Sequence, residues 1–193
     1  MSKQFLKVMF GTTSGADPKL QYKIDELNEA AHWNPNGRDP IEMGGFNIAT
    51  EKALIRWIFR GDTLYDVIIP DDAELIYVPN EYAYDEIARV NKVIVTNPRP
   101  MTDELALWLY KNSNFPQEAY YRVLAGCAIM GYTKTCETLI NERISPNKAQ
   151  DCINAFNGFI TPKTWRSFDG GETYEKVVAV LEYIKTLNEI YSK

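Results

Sequence analysis

The sequence predicts an α+β protein: a compact, curved, mainly antiparallel sheet with one or two helices, followed by a helical C-terminal half. Three observations predict it. Short apolar, β-branched runs bounded by glycine, proline, asparagine and aspartate recur up to Asn97. Beyond Pro100 the apolar residues change to helical spacing. The composition, 45% hydrophobic and 24% charged over 193 residues, is that of a chain able to bury one sizeable core.

Phe5–Phe10 reads as the opening strand, ended by Gly11-Thr12-Thr13-Ser14-Gly15. Leu20, Ile24, Leu27, Ala30 and Ala31 are spaced as on a helix from Pro18 to Ala31. His32, the single histidine, then falls at that helix's end, where capping or packing is its expected role. The stretch Trp33–Pro40 is dense in turn formers. Gly44–Ala49 reads as a strand, Thr50 as the N-cap of a helix over Glu51–Arg60 that buries Trp57, and Gly61 as a left-handed helix end. Strands follow at Leu64–Ile69, Ala73–Val78 and Asn91–Thr96.

Asn97-Pro98-Arg99-Pro100 marks the boundary between a strand-rich region, 1–97, and a helical region, 98–193. Two prolines and no flexible Gly/Ser run make it a short connection, so the helical region is expected to dock as one unit. Thr102 caps a helix with Asp103 and Glu104 in its first turn, where the helix dipole favours acids. Its Trp108 has core spacing. Further helices are expected over Pro116–Met130, Thr133–Arg143, Pro146–Phe159 and Glu172–Ser192, with a loop over Thr161–Gly171. That loop carries Trp165 and Phe168, either pinned onto the core or open to a partner.

Several functions are disfavoured by composition. A net charge of −5 without a basic cluster argues against a phosphate-backbone binder, so nucleic acid is an unlikely partner. No apolar run approaches the roughly 20 residues of a membrane span, and the N-terminus lacks a signal-type apolar block. Cys127, Cys136 and Cys152 lie apart in apolar helical settings and read as small buried hydrophobes. A reducing cytoplasm is the expected location. Walker A, GxGxxG, GxSxG and HExxH motifs are missing.

One ordered pattern points further. A strand ending Phe10-Gly11-Thr12-Thr13 is followed by Gly44-Gly45-Phe46-Asn47-Ile48-Ala49-Thr50, a helix, and Gly61-Asp62-Thr63-Leu64-Tyr65-Asp66-Val67-Ile68-Ile69-Pro70. Over about residues 5–97 this resembles the front half of ADP-ribosyltransferase-like proteins. The resemblance implies NAD as co-substrate, with Gly11, Thr12, Phe46 and Thr50 around it. Gly11 would offer its peptide groups to the nicotinamide carboxamide, Thr12 or Thr13 a hydroxyl to a ribose, and Phe46 an apolar wall. The family's second-strand tyrosine falls at Phe46 or Asn47, and the resemblance implies catalytic roles for Asn47 and for Glu86, the acid nearest the strand at Asn91. Phe10 stands where the family carries histidine or arginine, and Ala49-Thr50-Glu51 where some members carry Ser-Thr-Ser. Two functions are expected: a mono-ADP-ribosyltransferase-like protein acting on a cytoplasmic macromolecular target, or a non-catalytic interaction or inhibitor protein, phage or mobile-element encoded, that binds a partner protein. A purely structural reading of Gly44–Thr50, with Phe46 in the core and Thr50 as a cap, stands beside both.

Overall fold

The computed structural model describes residues 3–78, 86–115, 119–144, 150–151, 153–154, 158 and 172–191. The expected helix over Pro146–Phe159, the Thr161–Gly171 loop with Trp165 and Phe168, and Cys152 lie wholly or largely outside them. The chain divides into two compact units. The first comprises Met1–Ile55, Arg60–Met101 and Asn112–Phe115; the second comprises Arg56–Phe59, Thr102–Lys111 and Pro116–Lys193.

The first unit is built on a seven-stranded sheet. Its strands are β1 (Phe5–Met9), β2 (Leu27–Glu29), β3 (Phe46–Thr50), β4 (Thr63–Ile68), β5 (Leu75–Tyr77), β6 (Ile87–Val90) and β7 (Lys92–Pro100). They lie in the order β2-β7-β4-β1-β3-β6-β5, every pair antiparallel. The α+β class expected from the sequence is the one observed. Directly opposite residues share a face, so Phe5, Lys7 and Met9 of β1 lie with Phe46, Ile48 and Thr50 of β3 and with Tyr65 and Val67 of β4. Phe5, Met9, Phe46, Ile48, Tyr65 and Val67 belong to a buried cluster closed by Tyr22, Val93 and Val95. Leu6, Val8, Leu64 and Ile87 are buried on the other face.

The expected helix over Pro18–Ala31 does not form. Leu20, Tyr22 and Ile24 turn inward, with Gln21 and Lys23 exposed between them. That is an alternation of two, and the 3.6-residue spacing of Leu20, Ile24 and Leu27 is incidental. Asp25, at a φ of 59°, turns the chain into β2. His32 consequently ends no helix; its Nε2 lies 2.8 Å from the Glu42 carbonyl.

Thr50 begins helix α2 (Glu51–Leu54), preceded in the chain by the single turn α1 (Pro40–Met43). A tighter 3₁₀ helix, Ile55–Arg60, continues from α2 with a kink at Trp57. Gly61 is extended, at a φ of 173°, rather than left-handed. It is needed for space, since a Cβ there would come 2.1 Å from the Met9 carbonyl carbon.

Asn97–Pro100, expected as a connection, is strand. β7 runs on to Pro100, with Leu64 opposite Arg99 and Thr63 opposite Pro100. The prolines are tolerated because β2 pairs only with Lys92–Ile94 and Ile24 bridges Val95, so that among the described residues no strand pairs with that edge of β7 at Pro98 or Pro100. Between Thr96 and Arg99 the register slips by one residue, and Asn97 takes a positive φ of 51° to absorb the bulge. Arg99 then grips both oxygens of Asp66 at 2.7 and 2.9 Å.

The second unit is helical. It holds α3 (Asp103–Asn112, all but its last residue), α4 (Tyr120–Met130), α5 (Thr133–Arg143) and α6 (Glu172–Tyr191). The Thr102 hydroxyl accepts the Leu105 amide at the start of α3, and Gly131 ends α4 in the left-handed region. Trp108, expected in the core, is 45% exposed. Among the described residues no helix is long and apolar enough to cross a membrane.

Candidate functional site

The most unusual group in the first unit is a buried lysine. Lys7 sits mid-strand in β1, on the face that carries Phe5 and Met9, and is 8% exposed. β1 and β3 pair over only two positions, Phe5 with Thr50 and Leu6 with Ala49. The Thr50 amide donates to Glu86, so the even-numbered residues of β3 bond to β6 and the odd-numbered ones point toward β1. Where the β1–β3 ladder stops, the Asn47 carbonyl therefore lacks a strand partner. Lys7 supplies one, its Nζ donating to that carbonyl at 2.8 Å. The ammonium also stands 5.0 Å from the centre of the Tyr22 ring, which packs in turn on Phe46.

Lys7 meets no carboxylate among the described residues. The charges acting on it are those of Arg60 and Arg89, both positive. Burial, then these two arginines, push its pKa down to about 7. Glu86, on the same face one row away, is taken by Thr50 and lies 3.8 Å from Lys52. Asp62 accepts the Gly11 amide and the Thr63 hydroxyl. Arg89 donates from Nε and Nη2 to the carbonyls of Gly44 and Gly45, leaving Nη1 without a hydrogen bond among the described residues. The Tyr22 hydroxyl has none there either, although the residue is only 4% exposed. Burial drives its pKa upward, so it stays a neutral donor.

The residues expected to bind or act on NAD fall in three places. Gly11, at a φ of 52°, lies beyond the end of β1. Its amide donates to Asp62 and its carbonyl accepts the Tyr65 hydroxyl, so both peptide groups are used within the chain. Thr12 is exposed beside it and donates to Gln21 at 2.9 Å. Phe46 is a core residue, and the neighbouring Asn47 side chain points to the opposite face of β3. Thr50 and Glu86 are brought together. Thr50 caps α2 by position alone, and its hydroxyl donates to a Glu86 carboxylate oxygen. This pair lies in the row of Phe5, so about 20 Å of extended strand separates it from Gly11.

Sequence reasoning missed Lys7, Tyr22 and Arg89. The signal for Lys7 was present: a lysine flanked two residues either side by Phe5 and Met9 shares their inward face. Tyr22 was hidden by the helical reading of its segment. The cysteines behave as expected where described, since burial pushes the thiols of Cys127 and Cys136 well up and leaves them poor nucleophiles. No group of three or more His, Cys, Asp or Glu is placed to hold a metal ion among the described residues. No protein-family model, curated protein or solved structure matches the chain.

Proposed function

We propose that this chain is an ADP-ribosyltransferase-like protein that uses NAD to modify a macromolecular target in the cytoplasm. The observation that carries the reading is the order of three strands. β1, which leads into Gly11 and Thr12, β3, which bears Phe46, Asn47 and Thr50, and β6, which follows Glu86, are consecutive neighbours in the sheet, and the Thr50 hydroxyl and Glu86 carboxylate meet on one face. In the proposed reaction the bond between nicotinamide and the ribose C1′ breaks, and nicotinamide leaves with the electron pair. A nucleophile of the target bonds to C1′ and gives up its proton. A carboxylate near C1′ stabilises the positive charge that develops there, and Glu86, oriented by Thr50, is the group assigned to this role.

The test is release of free nicotinamide from NAD by the purified protein, with and without cell lysate. Release is expected with lysate, and Glu86→Gln should lower it by about 10²-fold or more. No release with any target, together with no NAD-dependent change in Tm, overturns the reading.

One observation favours a second reading, a non-catalytic binding protein that contacts a partner protein. The peptide groups of Gly11 are already bonded to Asp62 and Tyr65, and a nicotinamide carboxamide would have to displace them. Capture of a stable partner by a protein that leaves NAD intact decides for this alternative.

A further inference from the structure

We infer that the open end of the β1–β3 pair is a binding site for the anionic group of a small ligand, a phosphate or a carboxylate, held by Lys7 and the Tyr22 hydroxyl. The inference does not rest on the transferase reading. Taking an ammonium out of water is costly, and proteins that bury one normally give it a carboxylate. Among the described residues Lys7 has a single hydrogen bond, to a neutral carbonyl, and an aromatic ring. Two of its three N–H donors are unspent there. The Tyr22 hydroxyl, on the ring that covers Lys7, is a third donor without an acceptor among the described residues.

Among the described residues the acceptors that would quench these donors are spent elsewhere. Glu86 is engaged by Thr50, Asp62 by Gly11 and Thr63, and the carbonyls of Gly44 and Gly45 by Arg89. The missing partner is thus an acceptor with several lone pairs and negative charge. Phosphate and carboxylate oxygens meet that description, and either forms charge-assisted hydrogen bonds with an ammonium. A neutral ligand would leave the charge of Lys7 uncompensated. A cationic one would add to the repulsion from Arg60 and Arg89, whose charges already depress the Lys7 pKa.

The experiment uses the full chain with ¹³C-labelled lysine. The Lys7 side-chain resonance is followed by NMR through a pH titration in chloride, in inorganic phosphate, in pyrophosphate and in acetate at matched ionic strength. A bound anion should raise the Lys7 midpoint by about one pH unit or more, because it favours the charged amine. The wild-type Tm should rise by about 5 °C or more at saturation with the anion that fits. Phosphate or pyrophosphate acting alone identifies a phosphoryl ligand, and acetate acting alone a carboxylate. Tyr22→Phe, which removes one hydroxyl, should keep the fold and weaken binding about tenfold. Lys7→Met should abolish the rise in Tm. If all three anions leave the Lys7 midpoint and the Tm where chloride leaves them, or raise the Tm of Lys7→Met equally, the site does not exist. The wild-type titration decides even if Lys7→Met fails to fold. Anion binding without nicotinamide release would leave this inference standing and remove the transferase reading.

Discussion

Lys7 sets the pH behaviour of the first unit. Its folded pKa, about 7, lies below the ordinary 10.5 because burial and the charges of Arg60 and Arg89 all disfavour the protonated form. The Tyr22 ring, the Asn47 carbonyl and Tyr65 of β4 face it without supplying a negative charge. Between those two values the unfolded chain binds the proton and the folded chain does not. Stability therefore rises with pH from about 7 to about 10, by at most about 1.4 kcal/mol per pH unit. Below pH 7 both states are protonated and the folded state bears the full penalty. Urea unfolding of wild type and Lys7→Met at pH 6 and pH 9 checks this. The variant should be the more stable at pH 6, and its advantage should shrink or vanish at pH 9. A constant difference between the proteins would assign Lys7 an ordinary pKa.

Helix α5 shows how an element can be completed from a distance. Its own N-cap residue, Tyr132, makes no side-chain capping bond. Asp103, in the first turn of α3, fills the role, accepting the amides of Lys134 and Thr135 at 2.8 and 3.0 Å and the Thr135 hydroxyl at 2.7 Å. A carboxylate at a helix N-terminus also meets the positive end of the macrodipole. Asp103→Ala should cost about 1–2 kcal/mol, read as a lower urea midpoint with an unchanged m value, and Asp103→Asn should recover part of it. The helix itself was legible, since Thr133–Arg143 follows from spacing and from the turn at Gly131. Its cap was not, because thirty residues separate Asp103 from Thr133 and local sequence carries no record of which turn folds against which. Thr50 is the converse case. Its place at the start of α2 was legible, whereas its hydroxyl is committed to Glu86 across a sheet neighbour that no local pattern announces.

At the scale of the whole molecule, the two units are not successive lengths of chain. Arg56–Phe59, far upstream of Pro100, belongs to the helical unit. There Ile58 and Phe59 lie 3.2 Å from the position a Cβ on Gly126 would take, and Arg122 stands over the Phe59 ring at 5.5 Å. A cut at the change in periodicity therefore strips the helical unit of part of its own packing. A fragment spanning 102–193 should retain helical circular dichroism yet show no cooperative thermal transition, and co-expression with a fragment spanning 1–101 should restore it. A sharp, reversible transition in the isolated fragment would mean that Arg56–Phe59 is dispensable.

By itself the sequence determined the α+β class, most of the longer strands and the described helices α3 to α6, because alternation, helical spacing, caps and breakers act over a few neighbouring residues. It also carried, unread, the lysine among the apolar residues of the first strand. Tertiary structure alone decided the strand order, the early end of the β1–β3 ladder and, among the described residues, the absence of a carboxylate beside Lys7. Those depend on which residues become neighbours across the sheet. A burial cost or an unpaired donor exists only once those neighbours are in place.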